Sequence, residues 1–282
     1  MIKRLLLVSL VAGLFVSNSA CTRPGPTPSL PTGEGELTGE ISIAGSTTVQ
    51  PLAERLAAEF TAIHPRVRIT VQGGGSSTGI KSAGQGTVNI GTASREVKDE
   101  EMANFPNLKV FPIARDAIAI VTHPDIPLDG ITLEQARGIF AGKINNWKEV
   151  GGPDAYVIVV AREEGSGTRA AFEEIVMREE ALITATAIFQ PSNGAIRTTV
   201  STTPHSIGFL SFGYLSQSVK PLAINGVALT KENASNGAYP IVRSLNMLTN
   251  GEPKGLVKLF LDYVLSPEGQ AVVEEEGYIA VQ

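Results

Sequence analysis

A chain of 282 residues with 43% hydrophobic content can bury a sizeable core, and its length admits either two lobes or one large domain. A formal net charge of -5 excludes a nucleic-acid or anionic-membrane partner held by bulk electrostatics, so any anion bound here must be bound locally. A single cysteine excludes an intrachain disulfide and, with no His pair at ligand spacing, argues against a metal cluster.

The chain opens with Lys3 and Arg4, an apolar run over residues 5–16 and small residues ending at Ala20. That is the pattern of an export signal over residues 1–20, with an apolar run too short for a comfortable membrane span. Its removal leaves 21 basic and 28 acidic residues, a formal charge of -7. Cys21 follows directly, where a bacterial lipoprotein signal is cut and the new terminal cysteine is lipidated. The stretch SNSAC carries that resemblance, with Asn18 where such signals usually have an aliphatic residue. Plain secretion with a spare thiol is the alternative; lipidation is preferred because an exposed unpaired thiol is a liability in an oxidising compartment. Residues 21–39, rich in Pro, Gly, Ser and Thr, read as a lipid-anchored flexible linker.

The body then repeats one theme of short β-branched strand, Gly/Ser/Thr turn and helix. ISIAG leads through STT into a helix whose Val49, Leu52, Ala53, Leu56 and Phe60 fall at helical spacing. VRITVQ leads through GGGSSTG into IKSAGQG, and YVIVVA through REEGSGT into RAAFEEIVM. Thr132 with Gln135 predicts a capping box, and Ser266 followed by Pro267 predicts a capped helix start. Strands alternating with helices imply an α/β protein with a parallel sheet whose loops gather at the carboxyl ends of the strands.

Each of the three turns sets hydroxyl residues and glycines at a helix amino end, where unpaired N–H groups and the helix dipole attract an oxyanion. One such turn is weak evidence, since Ser and Thr cap helices for structural reasons; three in an acidic exported chain are harder to dismiss. Arg162, four residues before Ser166, can present a planar fork to a tetrahedral oxyanion, or can pair with Glu163, Glu164 or Asp154 on the surface. A nucleotide P-loop is rejected because Ile80 separates Gly79 from Lys81. A nucleophile elbow at Ser166 is not matched, since Glu164 and Thr168 stand where glycines belong, and His64, His123 and His205 sit beside prolines in loop-like contexts.

The motifs AGSTTVQPLAE, QGGGSSTGIKS, NIGTASREVKDEE, IFAGKINNW and REEGSGTRAAF, in this order, with GYLS, YPIVR and LSPEGQAVVEEEGY following, resemble the phosphate-binding receptors of the PstS type that serve ABC importers. The resemblance runs from about residue 41 to the carboxyl end. It implies a two-lobed type II periplasmic-binding-protein fold, each lobe a doubly wound sheet flanked by helices, joined by a hinge that the chain crosses twice. Crossings near DAIAIVTHP and GAYPIVRSL would make one lobe of residues 40–117 plus 241–282 and the other of 118–240. Carried over residue by residue, the expected phosphate ligands are Ser46, Thr47 and Thr48, then Ser76 and Ser77, then Arg162, Ser166, Gly167 and Thr168. Ser94 stands where better-known members carry an aspartate that accepts the proton of hydrogen phosphate and repels sulfate. The following Arg95 is expected to face the cleft, with pairing to Glu96 or Asp99 as the alternative. Asp116 is a candidate substitute acceptor, and Asn193 with Gly194 either line the cleft or form a turn.

The resemblance thus implies a non-enzymatic, extracytoplasmic receptor without cofactor. It would be anchored through Cys21 or periplasmic if the anchor is absent, monomeric, and a partner of an ABC permease. Two alternatives stay open: a receptor for sulfate, molybdate or tungstate, motivated by Ser94, and an exported serine phosphatase or esterase using Ser166.

Overall fold

The computed structural model describes residues 37–178 and 181–281; the expected export signal, the lipidation site at Cys21 and most of the linker lie outside the described residues. The first half of the body runs β1 (Gly39–Gly45), α1 (Gln50–Ile63), β2 (Val67–Gly73), α2 (Ser76–Gly84), β3 (Ile90–Ala93), α3 (Asp99–Asn104) and β4 (Leu108–Thr122). It continues with β5 (Gly130–Ile131), α4 (Leu133–Phe140), β6 (Ile158–Arg162), α5 (Gly167–Phe172), β7 (Ile188–Gln190), α6 (Asn193–Thr202) and β8 (Ser206–Ser211). The chain ends with β9 (Lys220–Pro221), β10 (Ala223–Ile224), α7 (Lys231–Ser235), β11 (Val242–Asn250), α8 (Gly255–Val264) and α9 (Pro267–Glu275).

Nine strands form one sheet in the order β2-β1-β3-β11-β4-β8-β6-β7, with β9 on β4, and helices flank it. The fully parallel sheet expected from strand–helix alternation is corrected here. β1, β2 and β3 pair in parallel, as do β6, β7 and β8, but β11 runs antiparallel to β3 and β4, and β4 antiparallel to β8. The reason lies in β4 and β11, which are not joined to their sheet neighbours by a crossover helix and so escape the parallel constraint.

Two large apolar cores flank this pair of strands. One gathers Ile41, Ile43, Leu52, Leu56, Phe60, Leu245 and Phe260; the other gathers Ile118, Ile120, Phe140, Trp147, Phe172 and Phe209. In the second, Phe172 stacks on Phe209 with ring centroids 4.1 Å apart, while Phe140 meets both rings edge-on. Each such aromatic pair adds roughly 0.5–1.5 kcal/mol beyond its area burial. β4 gives Ile113 and Ala114 to the first core and Ala117 and Ile118 to the second, so the chain passes between cores at Arg115 and Asp116. β11 passes back, from Ile241 in the second core to Leu245 in the first.

Local capping follows the sequence. Thr132 and Gln135 close a capping box on α4, and the Ser266 side chain accepts the Gly269 N–H ahead of Pro267 in the first turn of α9. Among the described residues no helix is long and apolar enough to cross a membrane.

Candidate functional site

The three hydroxyl loops converge because glycines let their backbones touch. Gly45 ends β1 at φ 140°, and a Cβ there would collide with the Thr92 carbonyl and stand 2.7 Å from Gly79 Cα. Gly75, at φ 90°, donates its N–H to the Gly45 carbonyl at 2.8 Å and would bring a Cβ to 3.0 Å from the Gly165 carbonyl. Neither position tolerates a side chain without moving backbone. Ser77 N–H then donates to Gly165 O at 3.1 Å, tying the second loop to the third. Gly167 has the closest neighbours: a Cβ would overlap Ser76 Oγ and stand 2.7 Å from Ser94 Oγ.

The hydroxyls form two linked groups. Ser76 and Ser94 are buried together, with Ser94 N–H donating to Ser76 Oγ at 3.0 Å and the two hydroxyls 3.4 Å apart. Ser46 Oγ accepts the N–H groups of Thr48 and Val49 at 3.1 and 3.4 Å, and Ser166 Oγ accepts that of Arg169 at 3.2 Å. Both serines therefore shape the starts of their helices while lying beside the site. Thr48 is the centre of the second group: its Oγ1 accepts from Asn193 Nδ2 at 2.9 Å and Arg243 Nη2 at 3.2 Å, and lies 3.1 Å from Thr168 Oγ1. With both lone pairs engaged, the Thr48 proton is directed to Thr168, which leaves the Thr168 proton free for an acceptor in the cleft. Thr47 reaches the same neighbours, its Oγ1 accepting from Asn193 Nδ2 at 3.4 Å and its carbonyl from Tyr214 at 2.7 Å.

Arg162 is 2% exposed and makes no carboxylate pair among the described residues; Asp154 pairs with Lys148 instead. Its Nε and Nη2 donate to the carbonyls of Gln190 and Pro191 at 3.1 and 2.8 Å, which fixes the guanidinium at the approach to α6. Burial, and then the neighbouring Arg243 charge, push it down to about 10, so the fold carries this cation at a cost that an anion would offset.

Arg95 is placed differently from the expectation that it faces the ligand. Its Nη1 and Nη2 fork onto the two carboxylate oxygens of Glu101 at 2.7 and 2.8 Å, with further contacts to the Glu96 carbonyl and Ser77 Oγ. The partner is thus Glu101, and neither Glu96 nor Asp99 supplies the carboxylate; Glu101 opens the α3 turn, so its helix brings it under the guanidinium. Asp116 is fully buried but engaged, accepting from Ser211 Oγ at 2.9 Å and from Arg243 Nε and Nη2 at 3.1 and 2.8 Å. Burial pushes its carboxyl above the ordinary value, against the pull of Arg243, Ser211 and the Phe212 N–H. Asn193 does enter the site, with its Oδ1 held by Ser211 N–H at 3.1 Å, whereas Gly194 packs near Ser192 and Tyr214.

Sequence reasoning missed Arg243, although the motif YPIVR contains it; nothing in a strand-borne arginine signals that register will aim it at a loop 195 residues away. Among the described residues the hydrogen bonds of Ser166 are to the Arg169 N–H and to backbone, with neither a histidine nor a carboxylate side chain.

Residues 30–268 match the model of a PBP superfamily domain. The chain is 34% identical to the phosphate-binding protein PstS of Bacillus subtilis, over 99% of this chain and 94% of that one. It is also 34% identical to PstS of Borreliella burgdorferi, over 86% and 90% of the two chains. Among solved structures, a phosphate ABC transporter substrate-binding protein of Clostridium perfringens with bound phosphate superposes with a TM-score of 0.83 at 41% identity, covering 86% of this chain and all of that one. An ABC-type phosphate transport receptor of Vibrio cholerae gives 0.71 at 34%, over 85% and 99%. The chain therefore belongs to the PBP superfamily and, within it, to the PstS family of phosphate-binding proteins.

Proposed function

We propose that this chain is an extracytoplasmic receptor that captures inorganic phosphate between two lobes and delivers it to an ABC importer, performing no chemistry on it. The observation that carries the reading is the meeting of three helix-starting hydroxyl loops, with Arg162 buried at the end of the strand that leads into the third and in no carboxylate ion pair among the described residues. Such a site offers neutral donors on several sides of a tetrahedral anion and one cation, enough to replace its hydration without any counter-ion from solvent. The ligands are Ser46, Thr47, Ser76, Ser77, Ser94, Arg162, Ser166, Gly167 and Thr168, while Thr48 and Asn193, whose side-chain donors are engaged with one another and with their neighbours, turn the Thr168 hydroxyl toward the anion. Arg95 acts as a strut that holds Ser77 in place from Glu101.

The two apolar cores support lobes of residues 40–117 plus 241–282 and of 118–240, with the anion bridging them and closure about β4 and β11. The leader pattern and Cys21 support export and lipid anchoring, with the Pro- and Gly-rich linker suited to a tether.

One observation favours a broader oxyanion preference. Ser94 brings a hydroxyl, held against Ser76, and no carboxylate to that position, and Asp116, the other candidate acceptor, is turned to Arg243 and Ser211. Calorimetric titration of ligand-stripped protein with phosphate and then sulfate tests both readings. Tight phosphate binding with measurable sulfate competition is expected, and Ser94→Asp should weaken that competition. Equal sulfate competition in both proteins would remove Ser94 from the ligand shell, and an absence of phosphate binding would sink the receptor reading.

A further inference from the structure

Arg243 is the second residue of β11, directly opposite Asp116 of β4, at the place where the two strands pass between cores. Both side chains are buried, at 3% and 0% exposure. The Nε and Nη2 atoms of Arg243 lie 3.1 and 2.8 Å from the same Asp116 oxygen, Oδ2, so the carboxylate takes the lateral edge of the guanidinium. A guanidinium is planar with its five hydrogens in fixed directions. The second Nη2 hydrogen, which reaches Thr48 Oγ1 at 3.2 Å, must therefore lie on the terminal edge that Nη2 shares with Nη1. Nη1 points to the same side as Thr48, and it is buried without a hydrogen-bond partner among the described residues.

A buried guanidinium N–H without an acceptor is unfavourable enough that native structures rarely keep one, and here the edge that Nη1 shares with Nη2 is the one that meets Thr48, itself 3.1 Å from Thr168. We infer that Arg243 is a second cationic ligand of the bound anion, donating from Nη1, with Asp116 and Ser211 as the anchor that orients it. This rests on the phosphate-receptor reading. The anion would then lie between Arg162, presented from β6, and Arg243, presented from β11. Two arginines set against neutral hydroxyls select a dianionic tetrahedral oxyanion over a monoanion or a neutral ester of similar size. Arg243 also ties ligand recognition to the hinge strand itself, so the anion would touch the element about which the lobes close.

The test is titration of the full chain with inorganic phosphate in wild type, Arg243→Gln and the double variant Asp116→Asn/Arg243→Gln. Arg243→Gln should weaken binding about 10- to 100-fold, the range for losing a charge-assisted hydrogen bond. That single variant leaves Asp116 buried without its cation and could fail to fold, whereas the double variant removes both charges and keeps two hydrogen-bonding amides. If Arg243 merely balances Asp116, the double variant will bind like wild type; if Arg243 is a ligand, it will stay weak at an unchanged melting temperature. Wild-type affinity in the folded double variant would overturn the inference alone. A wild type that takes no phosphate would overturn the receptor reading and the inference with it. A crystal structure of the wild-type phosphate complex decides independently of folding: hydrogen-bond distance from Nη1 to a phosphate oxygen is expected, and a separation too long for one would overturn the assignment.

Discussion

Arg95 and Arg243 are both buried, both paired with a carboxylate, and both within one contact of a loop hydroxyl, yet they are built for different work. Arg95 turns its terminal edge to Glu101 and receives two carboxylate oxygens there. That edge is filled, and the remaining Nη hydrogens go to the Glu96 carbonyl and to Ser77 Oγ. Arg243 turns its lateral edge to one oxygen of Asp116 and keeps the terminal edge for Thr48 and the cleft. The two arginines are alike in charge and burial, and each has a carboxylate, so these features do not distinguish a strut from a ligand. What distinguishes them is which edge of a rigid fork the partner occupies.

The largest effect that would sharpen this contrast is on stability. Asp116→Leu leaves Arg243 as an uncompensated buried charge and should cost about 3–5 kcal/mol, the range for breaking a buried pair from one side. Urea unfolding of the ligand-free protein measures it; a loss below about 1 kcal/mol, the ordinary value for an exposed pair, would mean that water reaches Arg243.

Next comes Arg162→Ala, with an expected loss of about 2–5 kcal/mol in phosphate binding, as for other desolvated charge contacts. Its ligand-free stability should fall far less than that of Asp116→Leu. The folded state already holds the Arg162 pKa down to about 10, which means that the charged form is disfavoured by folding and its removal relieves a cost. Phosphate affinity within about threefold of wild type would remove Arg162 from the ligand shell.

The smallest effect belongs to the strut. Glu101→Gln should cost about 1–2 kcal/mol, less than Asp116→Leu because Glu101 is partly exposed and the amide oxygen still accepts from Arg95, and leave phosphate affinity within about threefold, because Arg95 only supports Ser77. Burial raises the Glu101 pKa, but the Arg95 hydrogen bonds, the Lys98 N–H and the two nearby cations outweigh it, so the net shift is downward from 4.5. A lowered carboxylate pKa stabilises the fold above the unfolded value, and that contribution is lost as pH falls through the folded one. The gap in melting temperature between wild type and Glu101→Gln should therefore be full above about pH 5 and close as the pH drops below 4.5. A gap that persists at low pH would show that packing of the side chain, and not its charge, holds Arg95.

Much of the site was legible because it is local. A β-branched strand, glycines and hydroxyls before a helical apolar period occur within some dozen consecutive residues, and the backbone geometry they require is short-range. That is why the loops at Ser46, Ser76 and Ser166 read correctly as helix starts and why the capping box at Thr132 could be placed in advance. Asn193 was visible as a turn residue, but the same Asn-Gly pair suits a turn or a cleft equally well. Only its contact with Thr48, 145 residues away, separates the two.

Residue order over single supersecondary units is enough to fix the α/β class, the strand–loop–helix units and the anionic character of the ligand. Tertiary structure alone decided that β4 and β11 run antiparallel within the shared sheet, that Arg95 closes on Glu101, and that Arg243 opens toward Thr48. The physical reason is register. A one-residue slip of β11 on β4 would turn Arg243 to the opposite face of the sheet, and the register is set by apolar side chains buried in two cores at once. The partner of Arg243 lies 127 residues earlier in the chain, so no pattern near either residue records that they meet.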